Sequence, residues 1–481
     1  MRQINRRQFL AVAALTGLAS ACGSDPVPAA DPAGFRTEVR VPPLLKPSRG
    51  EDGTLTFALT MRRGRSELLP GGPVETWGFN GPYLGPTIRA ARGDNVRMKV
   101  TNRLAEASTV HWHGMRLPAE MDGGPHQQVE PGATWTPHWT VDQPATTSWY
   151  HPHPHGATAR HVYRGLAGMF IVDDGPSGLP SRYGVDDIPL ILQDKVLDPA
   201  PDPLKGTFGI LGDHMLVNGT YRGVVNVRTE RVRFRVLNGS NARMYHLTFG
   251  DNRAFHVVGG DAGLLAAPVE VDRVSLTPGE RVELVVAFTA GEQVMLRTAS
   301  GSDDIDEGDH DLVKIVTAPS LSASPPLPAR LPGAPAPIVV PPQATVRRFR
   351  LNGHDAINGK EMDMSRIDEV VPAGAVEIWE IENTVYAHNF HIHEVAFQVL
   401  DVDGTKPAPW TAGHKDTVYV PPKSTVRLAV QFGDFTDPKT PYMYHCHILR
   451  HEDSGMMGQF VIVQPGTEGQ VSRTIPVHHH P

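Results

Sequence analysis

Cysteine is almost absent from this chain of 481 residues, which contains only Cys22 and Cys446. Two cysteines are too few for a disulfide-rich scaffold, so a chemical role is considered for Cys446, which lies outside the N-terminal segment. Long apolar runs are also missing, because the longest candidate, residues 10–21, is too short to anchor a protein across a bilayer. The sequence therefore predicts no transmembrane span.

Positive charge is in deficit, with 45 lysines and arginines against 52 aspartates and glutamates and a net charge of −7. Loss of residues 1–22, which carry three arginines and no acid, would change this charge to −10. An acidic chain argues against nucleic acid as a partner.

Glycine and proline are abundant, at 47 and 44 residues, while aromatic residues make up only 7%. This composition favours short strands joined by many turns over long helices.

The N-terminus has the features of an export signal. Arg6 and Arg7 precede the apolar stretch, and "NRRQFL" resembles a twin-arginine signal, whose pathway exports folded proteins; ordinary secretion with a chance arginine pair is the alternative. Cleavage is expected after Ala21 or Ala30, unless Cys22 becomes the acylated first residue of a lipoprotein. We therefore expect a periplasmic or secreted protein, lipid-anchored only in the second case. In neither case does Cys446 gain a disulfide partner.

Three similar segments recur along the chain, each alternating apolar and polar residues and each ending in asparagine: "GDNVRMKVTN" at 93–102, "TERVRFRVLN" at 229–238 and "GAVEIWEIEN" at 374–383. The alternation is typical of half-buried strands, and the regular spacing indicates three related β-sandwiches, with chance similarity of short strands as the alternative. The expected organisation is as follows: signal and N-terminal tail at 1–30, domains at 36–175, 185–320 and 344–466, a proline-rich linker at 321–343, and a tail at 467–481.

Histidine is concentrated in four short clusters: "HWHG" at 111–114, "WYHPHPHG" at 149–156, "HNFHIH" at 388–393 and "HCHILRHEDSGMM" at 445–457. A thiolate beside imidazoles and a thioether is the ligand set of a blue-copper site, which predicts that Cys446 joins His388, His451 and Met456. In an extended strand, His445 and His447 point away from Cys446 and towards a second site. Since two clusters lie near each end of the chain, the first and third domains are expected to meet around shared metals.

These motifs, together with "MDGGP", "YRGLAGMFIVDD", "IPLILQDK" and "LNGSNARMY", resemble those of the multicopper oxidases in the same order. The resemblance is greatest to the three-domain bacterial laccases and periplasmic cuprous oxidases, and it implies an all-β fold of three cupredoxin-like Greek-key β-sandwich domains. It also implies four copper ions: one type 1, one type 2 and two type 3. Transferred by position, the roles are type 1 for His388, Cys446, His451 and Met456, and type 2 for His111 and His391. One type 3 copper would be held by His113, His151 and His447, and the other by His153, His393 and His445. Asp122 and Glu452 match family positions that donate protons.

The implied activity is laccase-like: one-electron oxidation of phenols or similar donors, or of Cu(I), coupled to four-electron reduction of dioxygen to water by a monomer. A dedicated cuprous oxidase is the alternative, since "KEMDMS" at 360–365 resembles part of a Cu(I) site. Thr384 and Tyr386, however, stand where that site would have an acid and a methionine. We expect His388 and His451 to present their imidazole edges close to solvent. Some members with this fold lack the copper ligands and act as cell-division scaffolds.

Overall fold

Nearly every regular element in the computed structural model is a β-strand, and the structure describes residues 34–196 and 201–476. The predicted export signal, with Arg6, Arg7 and Cys22, lies outside the described residues, as does the end of the C-terminal tail. None of the helices in the described part has the length and apolar character needed to cross a membrane.

The strands fall into three consecutive groups along the chain. The first contains β1 (Thr37–Glu38), β2 (Ser48–Arg49), β3 (Leu55–Ser66), β4 (Val74–Phe79), β5 (Ile88–Ala91), β6 (Asn95–Asn102), β7 (Thr134–Trp135), β8 (His138–Thr140), β9 (Thr146–Tyr150) and β10 (Gly168–Asp173). The second contains β11 (Asp187–Lys195), β12 (His214–Val217), β13 (Thr220–Tyr221), β14 (Gly223–Thr229), β15 (Arg231–Asn238), β16 (Tyr245–Phe249), β17 (Phe255–Gly260), β18 (Gly263–Val271), β19 (Val274–Leu276), β20 (Arg281–Ala287), β21 (Gln293–Thr298) and β22 (His310–Ser322). The third contains β23 (Val346–Leu351), β24 (Glu369–Pro372), β25 (Val376–Asn383), β26 (His388–Ile392), β27 (Ala396–Val402), β28 (Thr417–Val420), β29 (Thr425–Gln431), β30 (Tyr442–His445) and β31 (Met457–Val463).

Helical segments are few and short. In the described part of the chain there are two α-helices, α1 (Thr158–Tyr163) and α2 (Leu449–Asp453). They pack against each other through a small apolar cluster that contains Ala159, Val162 and Leu449. Short 3-10 helices occupy Ala119–Met121, Pro409–Thr411 and Glu468–Gln470.

Each group forms two sheets that enclose its own apolar core. In the first, β2, β3, β4, β6, β7 and β8 face the sheet β5-β10-β9; in the second, β13-β12-β11-β15-β20-β17-β18 faces β1-β14-β22-β21-β16-β19; in the third, β23-β25-β29-β27 faces β24-β31-β30-β26-β28. Three large clusters of buried residues correspond to these pairs of sheets. The all-β, cupredoxin-like fold expected from the sequence is therefore confirmed. One strand crosses between groups: Thr37–Glu38 pairs in parallel with β14 of the second sandwich, and Val39 is buried in that core.

The three repeated segments form equivalent strands, β6, β15 and β25, each with a parallel neighbour. Their terminal asparagines make the same contacts: the side chain of each donates to backbone carbonyls beyond the strand and accepts from the backbone N–H two residues later. This shared turn explains why asparagine ends all three segments, since its amide satisfies several buried backbone groups at once.

The middle segment differs from the half-buried pattern that its alternation predicted. Arg233 and Arg235 of β15 are only 4% and 2% exposed, because they form ion pairs with Glu283 and Asp187 within the second sandwich. Thr147 of β9 also donates to Glu283 at 2.6 Å, so this face lies against the first sandwich. An alternating strand can therefore be buried on both faces when its charges are paired.

Candidate metal centre

The four histidine clusters meet where the first and third sandwiches face each other. His111 and His151 form a one-residue bridge in the first sandwich, with reciprocal backbone hydrogen bonds of 2.8 and 3.2 Å. In the third sandwich, β26 pairs with β30, and His391 lies directly opposite His445. Ten histidine rings are brought into the protein interior in this way, each at most 1% exposed: His111, His113, His151, His153, His388, His391, His393, His445, His447 and His451.

Their ring nitrogens gather into overlapping groups of three. Each group offers ligand atoms that all lie within 4.8 Å of one another: His111, His113 and His391; His113, His151 and His447; His153, His393 and His445. The second and third groups are the two sets that the sequence assigned to type 3 copper, and the first contains the pair assigned to type 2. The structure therefore brings together the side chains that these assignments require, although the copper roles themselves stay predictions.

The hydrogen bonds of the rings test whether a metal fits. The Nδ1 atoms of His111 and His391 donate to the backbone carbonyls of Asp122 and Asp416, at 3.0 and 2.7 Å. A carbonyl can only accept, so the proton must be on Nδ1 and the lone pair on Nε2. Neither Nε2 has a hydrogen-bond partner among the described residues. Two buried lone pairs without a donor would be costly, and a metal cation is the group that satisfies them.

The same reasoning applies to His445 on the other side of the cluster. Its Nδ1 donates to the carbonyl of Cys446 at 3.1 Å, which leaves a lone pair on Nε2. That Nε2 lies 3.1 Å from His153 Nε2 and 3.3 Å from His393 Nε2. Three ring nitrogens that converge on one point are suited to a single cation, and the set of donors fits copper.

Burial keeps these imidazoles neutral, as ligands must be. Loss of solvation lowers the pKa of His111 to about 3 and that of His447 to about 4. For His445 burial also lowers the pKa, and the neighbouring His447 lowers it further. The rings therefore need not lose protons before they bind a metal at neutral pH.

Cys446 lies in a separate group of three with His388 and His451. Its Sγ is 3.5 Å from His388 Nδ1 and 3.4 Å from His451 Nδ1, and the residue is fully buried and free. Burial raises the pKa of Cys446 to about 12, so the thiol is protonated unless a cation takes the place of the proton. Since His445 and His447 belong to the histidine groups, adjacent residues of one segment lie in separate groups of possible ligands, and their roles at two copper sites stay predictions.

Met456, the predicted axial ligand, contacts Cys446 through the backbone. Its carbonyl accepts a hydrogen bond from the N–H of Cys446 at 3.1 Å, and its side chain is buried in the same apolar cluster as Cys446. The backbone contact holds Met456 next to Cys446, and its role as axial ligand stays a prediction.

Both predicted proton donors are buried against the histidines. Asp122 is 1% exposed, and its Oδ2 lies 2.7 Å from His393 Nδ1. Glu452, also 1% exposed, has one carboxyl oxygen 3.3 Å from His153 Nδ1 and the other 3.3 Å from His445 Nδ1. Burial raises the pKa of each acid above its ordinary value. Neither is a surface acid, and each touches a different side of the histidine cluster.

Several contacts of the cluster had no signal in the sequence. Asp416 Oδ1 lies 3.0 Å from His113 Nε2, and both carboxylate oxygens of Asp416 accept from Arg281 of the second sandwich, at 2.7 and 2.6 Å. Asn389 does lie within "HNFHIH", and its Oδ1 accepts from the backbone N–H of His447 at 2.7 Å. Its place between two predicted ligands could have identified it, whereas Asp416 and Arg281 become neighbours only through the packing of two domains.

The expectation that His388 and His451 lie close to solvent is wrong. Both are fully buried, and Thr207 and Phe208 of the second sandwich cover His451. His451 Nε2 donates to the Thr207 carbonyl at 3.0 Å, and the ring of Phe208 lies 5.7 Å from that of His451. The half-buried ring of Tyr386 lies 5.4 Å from the ring of His388. Any donor must therefore pass its electron through this covering layer.

Comparisons with known proteins identify the family of the chain. Multicopper oxidase family models match residues 60–177, 193–311 and 335–466. The chain is 37% identical to the cell division protein FtsP of Salmonella typhimurium, over 95% of this chain and 98% of that one, and 34% identical to multicopper oxidase mco of Staphylococcus aureus, over 89% and 93%. The crystal structure of a laccase from Pediococcus acidilactici superposes with a TM-score of 0.82 at 38% identity, over 89% of this chain and 94% of that one. On this evidence the chain belongs to the multicopper oxidase family.

Proposed function

We propose that the protein is a laccase-type oxidase that takes single electrons from a small donor and uses four of them to reduce dioxygen to water. The observation that carries this proposal is the segment His445–Cys446–His447, which joins a cysteine site to a histidine cluster through adjacent residues. Four copper ions in these sites would supply the one-electron chemistry: type 1 at Cys446, types 2 and 3 among the histidines. Such a connection suits a reaction in which electrons enter at one site and are used together at another.

In this proposal the protein residues position ligands and deliver protons. Asp122 and Glu452 touch His393, His153 and His445, so either carboxyl group can hold a proton beside the place where oxygen is reduced. Reduction of one dioxygen to water consumes four protons, and the site is otherwise lined by imidazoles that burial keeps neutral. A carboxylic acid is the group suited to this transfer.

The covering layer favours organic donors over Cu(I). Thr384 Oγ1 donates to the Leu351 carbonyl and to Asn352, so it is not presented as a ligand, and Tyr386 offers an aromatic face. Asp363 accepts from the backbone and the hydroxyl of Ser365. Soft thioethers are the ligands that Cu(I) prefers, and here only Met362 and Met364 remain from the expected set. A phenol needs no such ligands, because it can transfer an electron without coordinating.

The test is oxygen uptake by the copper-loaded protein with a phenol, Fe(II) or Cu(I) as the only donor. The control variant replaces Met362, Asp363 and Met364 together. We expect phenol oxidation in both proteins and Cu(I) oxidation that saturates weakly. If the triple change abolishes Cu(I) oxidation and spares the phenol, a dedicated cuprous oxidase is the better account.

A non-enzymatic role in cell division is the second candidate, since relatives with that name are 37% identical over nearly the full chain. The complete set of buried histidines with Cys446 argues against it, because a scaffold has no need of unpaired ring nitrogens in its interior. A protein that retains no copper after loading and dialysis, and consumes no oxygen with any donor, would favour the scaffold.

We further propose that the protein is exported through the twin-arginine pathway. This rests on Arg6 and Arg7 before the apolar stretch. Replacement of both by lysine, with the folded part unchanged, should leave the protein inside the cell, as fractionation would detect.

A further inference from the structure

A cavity of about 520 Å³ lies between the first and second sandwiches, away from the residues assigned to copper. Its walls come from the turn between β3 and β4, from the end of α1 and from the end of β11. The turn contributes the apolar side chains of Leu68 and Leu69, and its Gly71 borders open space. A volume of this size, with mostly apolar walls and a few polar groups, is typical of small-molecule sites.

Lys195 is the unusual residue of this cavity. It is 4% exposed, and its Nζ donates to the carbonyl of Tyr163 and lies 3.7 Å from the centre of the Tyr163 ring. In the described part of the chain it forms no ion pair, because the neighbouring Asp194 instead accepts from Gly212 and from Arg243. A buried ammonium group without an acid is costly, and an aromatic face offsets only part of that cost.

Two more cations line the same cavity. Arg164 is paired with Glu75 and lies over the ring of Trp77, and Arg160 is paired with Glu106 at 2.9 Å. Of the four described charged residues in the wall, three are positive and only Glu75 is negative. Since both arginines are already paired with acids, Lys195 is the wall cation that has no ion pair among the described residues, and it is the group that would attract an anion.

We propose that this cavity binds a small organic carboxylate, whose charged end pairs with Lys195 and whose apolar body lies against Leu68 and Leu69. The carboxylate would supply an anionic partner, which Lys195 does not have among the described residues. The apolar walls favour a ligand with a hydrophobic body over a free inorganic ion. The site stands apart from the proposed oxidase activity, since it uses none of the residues assigned to copper or to proton transfer.

Calorimetric titration of the full-length, copper-loaded protein with benzoate tests the proposal, with benzyl alcohol as the uncharged probe of similar size. We expect one saturable site per chain, with benzoate at least tenfold tighter than benzyl alcohol. Lys195→Met should weaken benzoate binding at least tenfold, and Leu69→Trp, which fills the cavity and keeps the lysine, should do the same. Lys99→Met makes the same chemical change at an exposed position of β6 and should stay within twofold of the parent.

The proposal is overturned if benzoate does not bind, if benzyl alcohol binds equally well, or if a folded variant at Lys195 or Leu69 binds as the parent does. If Lys195→Met does not fold, the result for Leu69→Trp decides. Leu69 is only half-buried, so this variant is expected to fold. The measurement is of binding, so an inactive protein would not affect the result.

Discussion

His111 and His391, from opposite ends of the chain, are held in the same tautomer by the same kind of contact. Each donates its Nδ1 proton to a backbone carbonyl, and each directs into the shared interior an Nε2 atom for which the described residues provide no hydrogen-bond partner. Backbone carbonyls hold this arrangement more firmly than side chains could, because each is fixed by its neighbouring element: Asp122 directly follows the 3-10 helix Ala119–Met121, and Asp416 directly precedes β28. The centre is therefore organised for a metal before one binds.

The colour of the copper-loaded protein should depend on Cys446. Cys446→Ser removes the thiolate responsible for the intense blue absorption of type 1 copper, so we expect a colourless protein that keeps most of its other copper, measured by absorption and metal analysis. Met457→Leu alters a neighbouring buried residue with no assigned ligand role and should stay blue. A blue Cys446→Ser protein would refute the type 1 assignment.

Removal of the two buried acids should slow oxygen reduction without loss of colour. Glu452→Gln and Asp122→Asn keep the shape of each side chain but cannot carry the proton, and loss of a general acid typically costs about 10²-fold or more. Reoxidation of the reduced protein by oxygen, followed by stopped-flow absorption, measures the effect. Glu120→Gln, an exposed acid two residues from Asp122, is the control. Equal rates for all four proteins from pH 5 to 8 would show that neither acid delivers protons.

Asp416 should support the histidine cluster indirectly. Asp416→Asn weakens its ion pair with Arg281 and its contact with His113, and loss of such an outer contact typically lowers metal affinity by about 10 to 100-fold. Competition with a chelator measures this affinity. Asp437→Asn, at a half-buried carboxylate that contacts no histidine of the centre, should leave it unchanged. An unaltered affinity in Asp416→Asn would mean that the backbone contacts alone position the rings.

Lys195 should make stability depend on pH. Burial lowers its pKa from 10.5 to about 7, so between these values the unfolded chain binds a proton that the folded protein does not. The cost to stability is therefore complete below pH 7 and disappears as the pH rises towards 10.5. Lys195→Met should raise the free energy of unfolding at pH 6, by an amount of the order of a few kcal/mol, and should give little gain at pH 10.

The measurement is the difference in melting temperature between variant and parent across this range, in the copper-free protein. Lys99→Met should show no such dependence. A Lys195→Met difference that is equal at pH 6 and pH 10 would mean that the amine keeps an ordinary pKa.

The sequence predicted those features that depend on local pattern. Alternation identified β6, β15 and β25, and the H-x-H spacing placed His445 and His447 apart from Cys446. The covering of His451 could not be predicted, because its contact is the carbonyl of Thr207, and a backbone atom leaves no signature in the residue types. The burial of Arg235 was missed for a related reason: its partners come from other strands, and one contact comes from the neighbouring sandwich. Contacts between domains are the part that pattern reasoning does not reach.

The division of the histidine cluster between the first and third sandwiches affects the order in which the protein folds. Neither "HWHG" nor "HNFHIH" can form the centre alone, and "HCHILRHEDSGMM" begins at His445, far along the chain from "WYHPHPHG", which ends at Gly156. Contacts between such distant segments form slowly and late in folding. If copper is added at successive times after the denaturant is removed, the fraction of protein that retains copper would therefore report when the third sandwich docks on the first.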